Sequence, residues 1–363
     1  MKPTTTQSPP TLPKRTPPPL SRAARRSTGR HSRVWRRVAL WLVAALAIGA
    51  IATYLAYSRD MHSTRDRLAA GSQVVTTRHS PIEYTEWGQG PAVLVIHGAG
   101  GGYDQGVSIA RAFGGEGFRW ISPSRFGYLR TLLPADASTA AQADAFADLL
   151  DALNIKRVAI LAFSGGVPPA LQFAQRYPER TAALALLSGA PYTPLTAAEQ
   201  KLPVPIWVYQ ALFRSDFPYW VLQKVARSSL EPMFDITPAL RAAAPPEEQP
   251  FIASMVDAFQ PVTARIDGVR NEGAAVDPRA RYRVDAITTP TLVIHSRDDH
   301  LNPFSFGEHT AQHIPGAQFL PLPSGGHLLL GHHAEVRARV NAFLRQYAGG
   351  ATPQSWSIPQ PTT

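Results

Sequence analysis

The sequence predicts an α/β fold, with a mainly parallel, twisted sheet covered by helices on both faces and a helical lid inserted after the sixth strand. Short apolar runs alternate with segments of helical periodicity from residue 73 onward. Several of these runs are apolar at successive positions, which is typical of strands buried on both faces. The alternation stops at residues 190–285, where prolines and aromatic residues are frequent, and then resumes. Such alternation favours a parallel sheet whose ligand lies at the carboxyl ends of the strands.

The predicted core has two parts, residues 72–189 and residues 286–347. We expect strands at 73–78, 82–86, 92–96, 118–122, 158–163, 182–187, 291–295 and 319–322. Helices are expected at 103–113, from a Ser138 cap to 153, directly after residue 166, at 304–313 and at 335–347. Residues 348–363 are rich in Gly, Pro, Ser and Thr, and we expect them to be a disordered tail.

The charge of the chain is concentrated at its N-terminus. The 363 residues carry a net charge of +10, from 36 basic and 26 acidic side chains. Residues 1–37 hold ten of the basic residues and no acidic one, so the rest of the chain has 26 of each and is neutral. Because the folded part offers no basic patch, we expect no nucleic-acid partner. The absence of cysteine excludes disulfides and thiolate catalysis.

The N-terminal region predicts a membrane anchor. Residues 1–33 form a basic, proline-rich arm that should be disordered, because it has too little apolar surface to bury. Residues 38–57 contain no charge and are long enough to cross the hydrocarbon core, so we predict a transmembrane helix at 34–58. The alternative is a cleaved signal peptide, although the apolar run is longer than is usual there. The positive charge before the span predicts a single-pass protein with a cytoplasmic N-terminus and its folded part outside the cytoplasmic membrane.

The turn after strand 158–163 carries the first sign of chemistry. The apolar strand runs directly into Ser164, Gly165 and Gly166, and a helical pattern follows. A serine on such a sharp turn exposes its hydroxyl above the sheet, and the strained backbone requires small neighbours. Gly165 and Gly166 meet that requirement, as does Ala162 on the other side. An ordinary tight turn between strand and helix is the alternative interpretation.

Three stretches together resemble the α/β-hydrolase family. They are HGAGGG at 97–102, AFSGG at 162–166, and the closing pair HSRDDHLNP at 295–303 and LPSGGH at 322–327. Their order, a serine, then an acid, then a histidine, is the order of that family. The resemblance covers about residues 72–347 and implies the family's fold together with catalysis by Ser164, Asp299 and His327. Two small residues, Ala162 and Ser296, stand where glycines are common in the family.

Two of the three implied catalytic residues have rivals nearby. His332 and His333 compete with His327, but they lie at the start of a helix and we expect them to face solvent. Asp298 competes with Asp299, and the family register, read from Ser296 and Pro303, favours Asp299.

Acyl transfer also needs two backbone amides that stabilise the oxyanion. By resemblance these belong to Gly165 and Ala99, with Gly100 as an alternative, because the glycines that follow leave the register open. Ser124-Arg125-Phe126-Gly127 stands where many family members have Asp-x-x-Gly.

The sequence favours a serine hydrolase that cleaves a carboxylic ester or a related acyl compound through an acyl-enzyme. Hydrolysis of a carbon–carbon bond with the same triad is one alternative, and a ligand receptor or scaffold with negligible turnover is another. We expect neither a cofactor nor a metal site. The aromatic residues of the lid, Trp207 and Trp220 among them, should partly cover the strand ends above Ser164, which predicts a small apolar or aromatic ester-like substrate.

Overall fold

A computed structural model describes residues 22–78, 80–192, 206–274 and 282–349 of the chain. Residues 1–21 of the arm predicted at 1–33 and residues 350–363 of the tail predicted at 348–363 lie outside the described residues. The same holds for residues 193–205 and 275–281 of the predicted lid. The chain divides into two compact units, residues 1–59 and residues 60–363.

The N-terminal unit is built on the first helix, α1, which runs from Arg22 to Ala70 and ends in the second unit. Its segment Arg33–Ala70 is long and apolar enough to cross a membrane, with a mean hydropathy of 2.2 in its most apolar stretch. The helix is longer at both ends than the predicted span at 34–58. The expectation of disorder was wrong for residues 22–33, because arginine and alanine are good helix formers and extending a helix costs less than starting one.

The second unit contains an eight-stranded sheet of the order β1-β2-β4-β3-β5-β6-β7-β8. Strand β2 pairs antiparallel with β1 and with β4, and all other neighbours are parallel. The strands are β1 (Gln73–Thr76), β2 (Pro81–Trp87), β3 (Ala92–Ile96), β4 (Arg119–Pro123), β5 (Val158–Phe163), β6 (Thr181–Leu187), β7 (Thr291–Ser296) and β8 (Gln318–Leu322). Every residue of β5, β6 and β7 is buried, as expected for central strands covered on both faces.

Helices cover both faces of this sheet. The remaining helices are α2 (Tyr103–Phe113), α3 (Thr139–Ala152), α4 (Val167–Arg176), α5 (Ile206–Leu212), α6 (Asp216–Val225), α7 (Pro238–Ala243), α8 (Gln249–Asp257), α9 (Ile266–Ala274), α10 (Phe304–His313) and α11 (His333–Ala348). One apolar core contains residues of α2 and α11, and the other contains residues of α3 and α4. The predicted α/β fold class is therefore confirmed.

Helices α5 to α9 lie between β6 and β7, and the described residues of this segment, 206–274, include no strand. We call this segment the insert. Its apolar side is held together by stacked rings, with Phe213 and Tyr219 stacked on Phe259 and Phe234 packed edge-on against it. The ring of Phe259 also contacts the loop after β3, because a Cβ atom added at Gly100 would lie 2.0 Å from it.

The two tryptophans expected above Ser164 differ in their surroundings. The indole of Trp220 donates a hydrogen bond to Asp60 (3.2 Å) and stacks on Phe217, and Trp207 is 66% exposed. The composition of the insert predicted an aromatic cluster, but the periodicity of such short helices does not show which ring faces inward. The ring that reaches the loop after β3 is that of Phe259.

Candidate active site

Ser164 lies at the point where β5 turns into α4. Its backbone has a φ of 52°, in the left-handed region that side chains other than glycine rarely adopt, so the turn is strained. The turn packs tightly against the neighbouring strand, since a Cβ atom at Gly166 would lie 2.4 Å from the carbonyl oxygen of Ile96. Pro168 and Pro169 occupy the first turn of α4, where a missing amide hydrogen costs little.

Three buried side chains form a hydrogen-bonded chain at the carboxyl ends of the strands. The hydroxyl of Ser164 lies 3.0 Å from Nε2 of His327, and Nδ1 of His327 lies 2.9 Å from Oδ2 of Asp299. In the tautomer that fits these contacts, Ser164 donates to His327, and the Nδ1–H of His327 donates to Asp299. The three residues come from the ends of β5, β7 and β8, so segments far apart in sequence meet at one edge of the sheet.

Asp299 is held as an ionised acceptor. Its Oδ1 accepts from the amides of Leu301 (2.9 Å) and Asn302 (2.8 Å), and its Oδ2 also lies 3.3 Å from Nε2 of His295. Burial acts to raise the pKa of Asp299, but the charge of His327 and the hydrogen bonds from His295 and His327 outweigh burial and lower the pKa. The carboxylate beside His327 is therefore favoured in its ionised form.

Asp298 contacts the backbone of the loop that carries His327. Its carboxylate accepts from the amides of Gly325 (3.2 Å) and Gly326 (2.9 Å), and the hydroxyl of Ser296 also donates to it. Asp298 thus ties the end of β7 to the loop that carries His327, and Asp299 contacts the His327 ring itself.

The rival histidines lie away from Ser164. His332 is half-buried and lies 3.3 Å from the carboxylate of Glu335. His333 was expected to face solvent, and this was wrong: it is 3% exposed, packs edge-on against Phe113 and Phe251, and its Nε2 lies 3.0 Å from the carbonyl oxygen of Leu328. Its helix packs on α2 and α8, and sequence alone does not reveal that contact.

The loop after β3 brings a backbone amide next to the Ser164 turn. The amide of Gly100 donates to the hydroxyl of Tyr128 (3.2 Å), whereas the amide nitrogen of Ala99 lies 3.3 Å from the position that a Cβ atom of Gly165 would occupy. Among the described residues, no hydrogen bond of the Ala99 amide is found. Ala99 and Gly165 are therefore adjacent, and the amide of Gly100 is engaged by Tyr128.

The sequence matches the family model described as the alpha/beta hydrolase fold over residues 91–334. The chain is an α/β-hydrolase. It is 30% identical over 273 residues to an uncharacterized hydrolase, YcgS, of Bacillus subtilis, a match that covers 71% of this chain and 92% of the relative. It is also 30% identical over 292 residues to the 2-hydroxymuconate semialdehyde hydrolase of Pseudomonas putida, covering 78% of this chain and 94% of that one.

A solved structure agrees with this family. An α/β-hydrolase fold protein from Nakamurella multipartita matches with a TM-score of 0.62 at 27% identity, and the match covers 77% of this chain and all of that one.

The described ranges of this α/β-hydrolase contain no group of three or more histidine or acidic side chains that could hold a metal ion.

Sequence reasoning missed two residues that support the α/β-hydrolase site. Asp235, on the insert, accepts from the backbone amide of His327 (3.0 Å), and burial raises the pKa of this aspartate. Asn302 donates to the carbonyl oxygen of Ser188 (2.8 Å), and its Nδ2 lies 3.4 Å from the Ser164 hydroxyl. Neither residue has a local sequence signal, since each acts on a segment more than 90 residues away.

A second group missed from sequence lies beside the Ala99 loop. Arg125 forms an ion pair with Glu272 of α9, and the hydroxyl of Tyr128 donates to the same carboxylate oxygen (2.7 Å). Burial and the charge of Glu272 raise the pKa of Tyr128 well above its ordinary value, so the phenol keeps its proton. Ser124 stands where an acid is common in the family. Its hydroxyl donates to the buried carboxylate of Glu83 in β2 (2.8 Å), and this contact fixes the loop after β4.

The lowered pKa of Asp299 predicts how stability depends on pH. Because its folded-state pKa lies below the ordinary value of 3.8, ionisation contributes stability that is fully present above about pH 4 and is lost as the pH falls toward the folded-state pKa. We expect the difference in unfolding free energy between the wild type and Asp299→Asn to be largest near neutral pH and to shrink below about pH 4. Urea unfolding at a series of pH values measures it.

Ser164→Ala is the control, because it alters the same hydrogen-bonded chain without removing a titratable group. The difference in unfolding free energy between Ser164→Ala and the wild type should change little over the same pH range. If the difference in unfolding free energy between the wild type and Asp299→Asn stays constant or grows on acidification, the assigned direction of the pKa shift is wrong.

Proposed function

We propose that this α/β-hydrolase is a serine hydrolase that cleaves a carboxylic ester or a related acyl compound through an acyl-enzyme on Ser164. The observation that carries the proposal is the chain of contacts from Ser164 to His327 (3.0 Å) and from His327 to Asp299 (2.9 Å). A serine hydroxyl becomes nucleophilic when a neutral imidazole takes its proton, and a carboxylate orients the imidazole and stabilises its charge.

In the proposed reaction, Nε2 of His327 takes the proton of Ser164 as Oγ attacks the carbonyl carbon. The amides of Ala99 and Gly165 donate to the oxyanion that develops, and the N-terminal end of α4 favours the same negative charge. The oxyanion then collapses, and His327 passes its proton to the departing oxygen. Water attacks the acyl-enzyme with His327 as base, which releases the acid and restores Ser164.

Hydrolysis of a carbon–carbon bond is the second candidate function. One relative that is 30% identical is named for 2-hydroxymuconate semialdehyde, and a semialdehyde contains no ester bond. The same triad and the same pair of amides can serve attack of water on a ketone carbonyl carbon. The carbon–carbon bond next to that carbonyl then breaks, the carbonyl carbon becomes a carboxylic acid, and the other fragment leaves as a carbanion that takes up a proton. The ester is the first candidate because its leaving group needs only the proton that His327 carries.

Apolar contacts near the site support an uncharged, apolar substrate. We propose that the insert acts as a lid and that Phe259, which packs against Gly100, contributes the surface next to Ala99. Phe259 is only half-buried although it is surrounded by other rings, so part of its surface is exposed. Burying a ligand's apolar surface against it contributes about 25 cal/mol per Å².

We also propose that the protein is anchored in the membrane through residues 38–57 of α1, with the N-terminus in the cytoplasm. The uncharged stretch and the ten positive charges within residues 1–37 support this topology.

The first prediction concerns the nucleophile. Ser164→Ala should abolish both ester hydrolysis and labelling by a fluorophosphonate probe, because it removes only the hydroxyl that forms the covalent bond. His327→Ala should lose the same activities. His332→Ala is the matched control and should keep most of both, since its ring lies against Glu335. Labelling that persists in Ser164→Ala would show that another serine is the nucleophile.

The second prediction concerns Phe259. Phe259→Ala should raise KM for long-chain or aromatic esters by about tenfold and change KM for acetate esters little, because a small acyl group loses little contact area. Trp220→Ala is the control aromatic truncation, since Trp220 contacts Asp60 and Phe217. Steady-state kinetics on a chain-length series measures both. Equal losses on acetate and long esters would mean that Phe259 acts only in the packing of the insert.

The third prediction concerns location. The chain should fractionate with membranes and resist carbonate extraction, and protease added outside the cytoplasmic membrane should digest its C-terminal part. Deleting residues 38–57 should release the protein into the soluble fraction. A soluble mature form that begins near residue 58 would instead indicate a cleaved signal peptide, and a protected C-terminus would contradict the topology.

A further inference from the structure

Arg265 directly precedes α9 in the insert, and its side chain is the largest of those that are almost completely buried among the described residues. It is 1% exposed, and the reaction proposed above does not use it. Burying a guanidinium is costly unless a carboxylate neutralises it and its hydrogens find acceptors. The partners of Arg265 therefore show which parts of the chain it holds in place.

The guanidinium of Arg265 binds the end of the loop that carries Ala99. Its Nη1 donates to the carbonyl oxygen of Gly101 (2.6 Å) and to Oδ1 of Asp104 (3.1 Å), and its Nη2 donates to Oδ2 of Asp104 (2.8 Å). Asp104 lies in the first turn of α2, so one side chain holds both the loop after β3 and the start of the next helix. The fit is tight, because a Cβ atom at Gly102 would lie 2.8 Å from Nη1.

Arg265 is itself held by the insert and by a second loop of the core. Its Nη2 also donates to the carbonyl oxygen of Gln260 (3.2 Å). The carbonyl oxygen of the preceding residue, Ala264, accepts from the backbone amide of Leu129 (2.7 Å). The bidentate contact with Asp104 adds a fixed orientation, because a planar guanidinium matches a carboxylate in one geometry.

Ala99 lies between two fixed parts of its loop. On the strand side, the amide of Gly98 donates to the side chain of Gln105 (2.8 Å), and on the helix side the carbonyl oxygen of Gly101 accepts from Arg265. Glycines have more accessible backbone conformations than other residues, so a glycine-rich loop needs such contacts to keep one conformation. Without the contact at Gly101, the loop would lose a fixed point between Ala99 and α2.

We propose that Arg265 is a positioning residue for the oxyanion, because it holds the loop after β3 in the conformation that directs the amide of Ala99 toward the developing negative charge. The proposal rests on the proposed function, which assigns that amide to the oxyanion. Within the part of the chain that the structure describes, the hydrogen-bond partners of Arg265 include neither Ser164 nor His327. Its effect on the reaction therefore passes through the loop.

The test separates binding of the substrate from binding of the oxyanion. Hydrolysis of p-nitrophenyl butyrate gives kcat and KM, and inhibition by a trifluoromethyl ketone with a propyl chain gives Ki. The Ser164 hydroxyl adds to the carbonyl carbon of this ketone and gives its proton to His327, which leaves a negatively charged oxygen for the two amides to bind.

We expect Arg265→Gln to lower kcat and to raise Ki of the ketone by the same factor, about tenfold, while KM changes little. This factor is smaller than the ~10²–10³ that loss of a whole oxyanion donor costs, because the amide of Ala99 is displaced and not removed. Arg265→Lys is the second variant. It keeps a positive charge beside Asp104 but replaces the planar fork with one ammonium, so it should fold and still raise Ki.

Arg227→Gln is the matched control. Arg227 also lies in the insert and donates to a carboxylate and to a backbone carbonyl oxygen, those of Asp257 (2.8 Å) and Ala253 (2.8 Å). Both partners belong to α8 and not to the loop after β3. We expect this variant to lower Tm without changing kcat or Ki of the ketone.

Thermal unfolding identifies any variant that fails to fold, and the folded variants then decide. The proposal is wrong if a folded Arg265→Gln or Arg265→Lys protein keeps the kcat and the Ki of the wild type. It is also wrong if KM rises while Ki stays unchanged, or if neither variant folds, because Arg265 would then serve substrate binding or folding alone. Failure of the proposed function is a different result, in which the wild type neither hydrolyses the ester nor binds the ketone.

Discussion

The hydrogen bond between Asp299 and His327 is the contact on which the rest of the site depends. It joins the segment after β7 to the loop after β8, and it sets the imidazole so that its other nitrogen faces Ser164 at 3.0 Å. The carboxylate can serve in this way only because two backbone amides and two histidines favour its ionised form in a buried position. Without that support, burial would favour a protonated acid, which could not stabilise an imidazolium.

The insert between β6 and β7 contributes to the site on two sides. Asp235 accepts from the backbone amide of His327, and Glu272 pairs with Arg125 next to the loop that carries Ala99. Each contact joins the insert to a segment of the core that the proposed reaction uses. A change in the shape of the insert would therefore move the backbone of His327 and the segment that carries Arg125.

The fold was predictable from sequence because its signals are local. Apolar runs, glycine turns and the alternation of strand and helix each span fewer than about 20 residues, so the eight strands could be read in order. The serine turn was predictable for the same reason, since strain at Ser164 requires the small residues that follow it. Resemblance to the family supplied the expectation that Asp299, rather than Asp298, contacts His327.

The features that could not be predicted from the sequence depend on contacts between distant segments. His333 is buried because α11 packs on α2 and α8, and Phe259 rather than Trp220 reaches Gly100 because of how the insert folds back. The pair Arg125–Glu272 joins residues 147 positions apart and has no local pattern. The length of α1 was underestimated because helix propagation into residues 22–33 depends on the helix that follows them.

The proposed reaction requires that Ser164 forms a covalent acyl-enzyme. The most direct measurement is mass spectrometry of the protein quenched in acid within the first turnover of a p-nitrophenyl ester, followed by digestion. We expect a burst of p-nitrophenol of about one equivalent and an acyl group on the peptide that contains Ser164. Turnover at the normal rate with an unmodified Ser164 peptide, or with the acyl group on another residue, would contradict it.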